Sequence, residues 1–114
     1  MHELSIAHSI LSIAEKSVPA GSKGTVTAVS MQIGQLSSIE IDSLRFAFEA
    51  IKSNTVLEKA ELDIEIIEGE AKCLDCQTVF QLNTYGTACP NCKSYGVTIL
   101  KGTEMKILSL TIDE

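Results

Sequence analysis

Cys73-Leu74-Asp75-Cys76 and Cys89-Pro90-Asn91-Cys92 are two knuckles separated by 12 residues, and their reading decides how the remainder of the chain is organised. Each C-x2-C turn lets two thiolates point at one cation from a tight loop. Two such turns facing each other supply the tetrahedral S4 set preferred by Zn(II). The 12-residue spacer is a little shorter than the ~15 to 20 residues of the generic zinc pattern. Two disulfides or a redox C-x2-C are the alternatives at this point, although a redox pair belongs where a strand meets a helix and needs no duplicate. Four protein ligands leave no open position, so a metal held here is structural rather than a Lewis-acid catalyst.

Outward from the knuckles, residues Lys72 to Gly102 contain all four cysteines, the turn residues Asn83, Pro90 and Asn91, and little apolar content. This reads as an inserted subdomain. A segment well below ~40 residues cannot build a sufficient core alone, and zinc ligation, worth roughly 10 to 16 kcal/mol in peptide models, supplies the missing stability. Lys72, Lys93 and Lys101 flank the knuckles. On one side Leu62, Ile64 and Ile66 alternate with Asp63 and Glu65 as a half-buried strand ending at Glu68-Gly69-Glu70. On the other, Met105 to Ile112 is strand-like, with a slip between Ile107 and Leu108 that calls for a bulge or burial on both faces.

Towards the amino end, Leu4, Ile6, Ala7, Ile10, Leu11, Ile13, Ala14 and Val18 fall within one half of a helical wheel, and Pro19, Gly21 and Gly24 end that helix. Thr25 to Ile33 reads as a strand stopped by Gly34. Ile41, Leu44, Phe48 and Ile51 recur at helical spacing over Ser38 to Lys52, with Phe46 off the main line, Ser37 or Ser38 as cap, and Glu40 and Asp42 in the first turn. The order is helix, strand, helix, strand, cysteine insert, strand.

The chain has 114 residues, 45% apolar and 21% charged, which fits one globular domain with a small appendage. Fifteen acidic against nine basic residues, with Arg45 the only arginine, argue against binding a phosphate backbone by charge. Residues 4–14 have the length of a signal-peptide apolar region, but Met-His-Glu precedes them rather than a basic stretch, so no signal peptide is expected. No window reaches the ~20 apolar residues of a membrane span. Cytoplasm is the expected location.

Met1-His2-Glu3 is the second feature with chemistry in it. A free α-amine, the His2 amide nitrogen and His2 Nδ1 can close adjacent chelate rings around one metal, giving the planar nitrogen set that suits Ni(II) or Cu(II). Glu3, water or a partner group would complete the shell. The plain alternative is a solvated histidine ahead of a helix. His8, on the polar face, reads as solvated or hydrogen-bonded, and no pair of acids stands out for acid–base catalysis.

Taken together, Met1-His2-Glu3-Leu4-Ser5, Leu44-Arg45-Phe46-Ala47-Phe48-Glu49, the two knuckles and Cys89-Pro90-Asn91-Cys92-Lys93-Ser94 resemble the HypA/HybF family of nickel-incorporation metallochaperones. The resemblance implies an α+β fold: two helices packed on a small three-stranded sheet, with an inserted zinc-ribbon subdomain. It places a nickel-binding domain at 1–71, completed by a closing strand at 103–114, and the zinc ribbon at 72–102. His2 would be the principal nickel ligand, Met1 and Glu3 auxiliaries, and Cys73, Cys76, Cys89 and Cys92 the structural zinc set. Ni(II) would be transferable cargo and the protein no enzyme. The implied partners are a nickel-binding maturation GTPase, the hydrogenase large subunit precursor and, weakly, a second copy of the chain, with urease a further recipient of the nickel. A zinc-ribbon adaptor without nickel delivery is the alternative function, and a thiol oxidoreductase a third. Two departures from the family stand out. Residues 9–114 contain no histidine, and Lys93 stands where Gly is common, which a relaxed backbone would tolerate.

Overall fold

The computed structural model describes residues 3–19 and 24–113. Helix α1 runs Glu3–Ser17, strand β1 Thr25–Gly34, helix α2 Ile41–Ile51 and strand β2 Glu61–Ile67. Strands β3 (Glu70–Cys73), β4 (Val79–Gln81) and β5 (Val97–Lys101) follow, and β6 (Met105–Asp113) closes the chain. The strands form two three-stranded sheets, ordered β2-β1-β6 and β4-β3-β5. The expected α+β class holds, and the cysteine insert contributes a sheet of its own.

Two compact units divide the chain. The first contains the described residues up to Met31, Ile39–Ile64 and the residues from Ile107 onward; the second contains Gln32–Ser38 and Glu65–Lys106. In the first, α1 and α2 pack on each other. The buried stripe of α1 is Ile6, Ala7, Ile10 and Ala14, narrower than the eight apolar positions anticipated, because Leu4 and Ile13 lie at its margins, 47% and 42% exposed. Helix α2 buries Leu44, Ala47 and Phe48, while Phe46 is 78% exposed, as its place off the apolar line requires. Val26, Val29, Met31, Leu57, Ala60 and Leu62 are also buried.

The start of α2 differs from the expectation. Its N-cap is Glu40, in extended conformation and without a side-chain capping bond, rather than Ser37 or Ser38. Ser38 has φ 65°, a left-handed turn that changes the direction of the chain before the helix begins. Asn54 (φ 61°) makes the exit. Arg45 Nη1 donates to the Leu62 carbonyl at 2.8 Å. Lys52 Nζ donates to the Ala60 carbonyl at 3.1 Å and pairs with Glu49 at 3.0 Å, tying α2 to the segment that leads into β2. In β6, Leu108 is 50% exposed and the alternation resumes with half-buried Leu110 and Ile112. The slip thus exposes an apolar residue instead of burying both faces.

In the second unit β3 is the centre strand, antiparallel to β4 with Ala71 opposite Phe80, and antiparallel to β5 with Cys73 opposite Val97. Its core is Leu36, Ala71, Phe80 and Leu82 with Cys73 and Cys89. Backbones approach closely here. A Cβ on Gly34 would overlap the Gly102 carbonyl, and one on Gly69 the Leu82 carbonyl, so glycine is a steric requirement at both positions.

Candidate metal centre

The knuckles are built alike. In the first, Gln77 N–H donates to the Cys73 carbonyl at 3.0 Å and Cys73 N–H to the Thr78 carbonyl at 2.9 Å; in the second, Lys93 N–H donates to Cys89 at 2.9 Å and Cys89 N–H to Ser94 at 2.8 Å. Each turn closes through a left-handed residue, Gln77 at φ 67° and Lys93 at φ 66°. The relaxed backbone on which tolerance of Lys93 is conditional is therefore not present. Lys93 holds the conformation that Gly adopts without cost, a conformation unfavourable by roughly 1 to 2 kcal/mol for other residues.

These turns bring the four sulfurs together. All four Sγ atoms lie within 4.8 Å of one another, with Cys73 to Cys92 at 3.5 Å and Cys76 to Cys89 at 3.6 Å. The cysteines are free, and these separations far exceed the ~2.05 Å of a disulfide. Tetrahedral coordination with Zn–S near 2.3 Å puts sulfurs about 3.8 Å apart, so the spacing fits a structural metal such as zinc. The cluster is all sulfur, and no histidine follows His8 in the chain.

The cage is uneven. Cys73 and Cys89 are buried, Cys76 is half-buried and Cys92 exposed. Cys76 Sγ lies 3.2 Å from Thr78 Oγ1, and Asn91 Nδ2 donates across from the second knuckle to Cys76 Sγ at 3.5 Å and Thr78 Oγ1 at 3.3 Å. The thiol of Cys76 is lowered to about 5, first by the Thr78 hydroxyl, then by the Asn91 amide and the Thr78 backbone N–H, against desolvation. Cys92 is raised to about 12: the Ser94 backbone N–H pulls it down, but the Cys73 thiol, desolvation and the other two thiols outweigh it. Crowded sulfurs resist a second negative charge, and a dication at their centre removes that resistance by accepting all four as thiolates.

Thr78 and Asn91 carry no signal of this role in the sequence. Asn91 is one of two residues between the cysteines of its knuckle, and only the facing of the turns aims its amide at Cys76.

Of the nickel residues expected at the amino end, Met1 and His2 lie outside the described residues. Glu3 opens α1, and its Oε2 accepts the Glu40 backbone N–H at 3.1 Å. That places a carboxylate at the start of α2, where the positive end of the helix dipole favours it. His8 is exposed. Among the described residues no helix is long and apolar enough to cross a membrane.

The fold and the cage define a small α+β protein with a four-cysteine centre suited to a structural metal. Residues 1–112 match the family described as hydrogenase/urease nickel incorporation, metallochaperone, hypA, and the chain belongs to that family. It is 42% identical over 112 residues to the hydrogenase maturation factor HypA of Parabacteroides distasonis, covering 98% of this chain and 97% of that protein. To the same factor of Geobacter sulfurreducens it is 36% identical over 113 residues, covering 99% and 100%. The solution structure of the Ni metallochaperone HypA from Helicobacter pylori superposes with a TM-score of 0.62 at 32% identity, covering 96% of each chain.

Proposed function

We propose that this protein carries Ni(II) at Met1-His2-Glu3 and delivers it to the hydrogenase large subunit precursor, with Cys73, Cys76, Cys89 and Cys92 holding a structural zinc. The observation that carries the reading is the match to the nickel-incorporation family over residues 1–112, which includes the Met-His-Glu start as well as the knuckles. His2 is the principal ligand, through its imidazole and amide nitrogen, and Met1 and Glu3 are auxiliaries. A nickel ion with an incomplete shell exchanges ligands readily, so a partner that completes the shell takes it. Copper binds such nitrogen sites more tightly than nickel does; selectivity therefore comes from metal supply and partner recognition.

In this reading residues 1–71 with 103–114 form the nickel domain and 72–102 the zinc ribbon. The protein acts in the cytoplasm as a carrier rather than an enzyme. It works with a nickel-binding maturation GTPase, pairs weakly with itself, and serves urease where that enzyme is present. The test is calorimetric titration of Ni(II) into zinc-loaded protein with nothing preceding Met1, beside His2→Ala. The expected result is one nickel per chain, abolished in the variant while zinc stays bound. Equal binding in both proteins, or none, would transfer the assignment to a zinc-ribbon adaptor without nickel delivery.

A further inference from the structure

The knuckles share their backbone hydrogen bonds and their left-handed closing residues, yet differ at the third position of each turn. The first has Asp75, which in its ionised form only accepts hydrogen bonds; the second has Asn91, whose amide donates. Asn91 uses that amide across the cage, to Cys76 Sγ at 3.5 Å and to Thr78 Oγ1 at 3.3 Å. Once Cys76 is a thiolate, the Thr78 hydroxyl, 3.2 Å away, turns its own hydrogen to the sulfur. A closed triangle results: Asn91 donates to Thr78 and to Cys76, and Thr78 donates to Cys76. Among the described residues the other three sulfurs have only cysteine sulfurs as side-chain hydrogen-bond partners, Cys73 with Cys92 and Cys89 with Cys76.

We propose that Asn91 is a positioning residue of the metal centre, an amide clasp that orients the Cys76 thiolate toward the metal and ties the first knuckle to the second. The inference rests on the structural-metal reading of the cage. Cys73 and Cys89 are fixed by burial in the core of their unit. Cys76 is only half-buried, so its orientation depends on hydrogen bonds, and partners of this kind typically govern metal affinity by tenfold or more. Two N–H or O–H donors on one thiolate also withdraw charge from it, which marks that sulfur spectroscopically.

The experiment compares wild type with Asn91→Leu and Thr78→Val. Zinc stoichiometry of the wild type comes first, since less than one zinc per chain would sink the structural-metal reading itself rather than the clasp. With zinc bound, transfer to a chromophoric chelator should be about tenfold faster in Asn91→Leu. In the Co(II)-substituted proteins the thiolate-to-metal charge-transfer band should move to lower energy in both variants, a shift that a purely scaffolding role would not produce. Release rates and band positions equal to wild type would overturn the proposal. Should Asn91→Leu hold no metal at all, wild-type protein loaded with cadmium-113 decides. Scalar coupling between the metal and the Asn91 side-chain amide protons supports the clasp, and its absence overturns it.

Discussion

The two compact units are held together by different means. The first buries a set of aliphatic side chains with Phe48 at its largest, and its two helices pack on each other. Among the described residues the second has only five buried apolar side chains apart from cysteines, Ile33, Leu36, Ala71, Phe80 and Leu82, and its core cluster is completed by the sulfurs of Cys73 and Cys89. Hydrophobic burial scales with area removed from water, so a segment this small is short of it. Metal ligation fills the deficit with a few strong directional bonds. The lesson is that Cys73 and Cys89 are core residues as well as metal ligands: the side chains that would bind the metal also close the interior.

Metal removal is the sharpest way to break this contrast. Chelation should abolish amide-exchange protection in β3, β4 and β5 while the far-ultraviolet circular dichroism of α1 and α2 persists, because roughly 10 to 16 kcal/mol of ligation is withdrawn from the second unit alone. Loss of helical signal in step with the metal would erase the distinction. The converse experiment truncates the other core: Phe48→Ala should cost about 3 to 5 kcal/mol in denaturant unfolding, with the protein still purifying at one zinc per chain.

A smaller effect belongs to the second unit's backbone. Gly34→Ala places a methyl group on the Gly102 carbonyl and should cost about 1 to 3 kcal/mol, read from the exchange protection of the amides around it. Lys93→Gly tests the knuckle turn in the opposite direction. Relief of the left-handed strain, set against the greater freedom of glycine in the unfolded chain, should yield about 1 kcal/mol at most and slow zinc loss. At the bottom of the scale, the Glu3 carboxylate at the start of α2 should contribute about 0.3 to 1 kcal/mol. Thermal melting should show Glu3→Ala less stable and Glu3→Gln intermediate, since the amide oxygen still accepts the Glu40 N–H; equal melting of all three would mean the contact adds nothing.

Much of this was legible in advance, for reasons that differ from element to element. Helix α1 and strand β1 were readable because apolar periodicity reports directly on burial, and the cysteine spacing because a C-x2-C turn is a local structure. The entry to α2 was not: serine preference at helix caps is a weak local bias, and the left-handed turn at Ser38 overrode it. The phase slip in β6 was visible at Leu108, but whether it buried or exposed that side chain depended on what lay opposite.

The amino-acid sequence alone determined the order of elements, the amphipathic faces and the four-sulfur ligand set, since each follows from the nature and spacing of neighbouring residues. Tertiary structure alone decided which sulfurs are buried, that Asn91 reaches Cys76 across 15 positions, that Glu3 meets Glu40, and that Gly34 must leave room for Gly102. These are contacts between residues distant in the chain, and no local preference encodes them. They arise only when the fold closes and aims one segment's donors at another's acceptors.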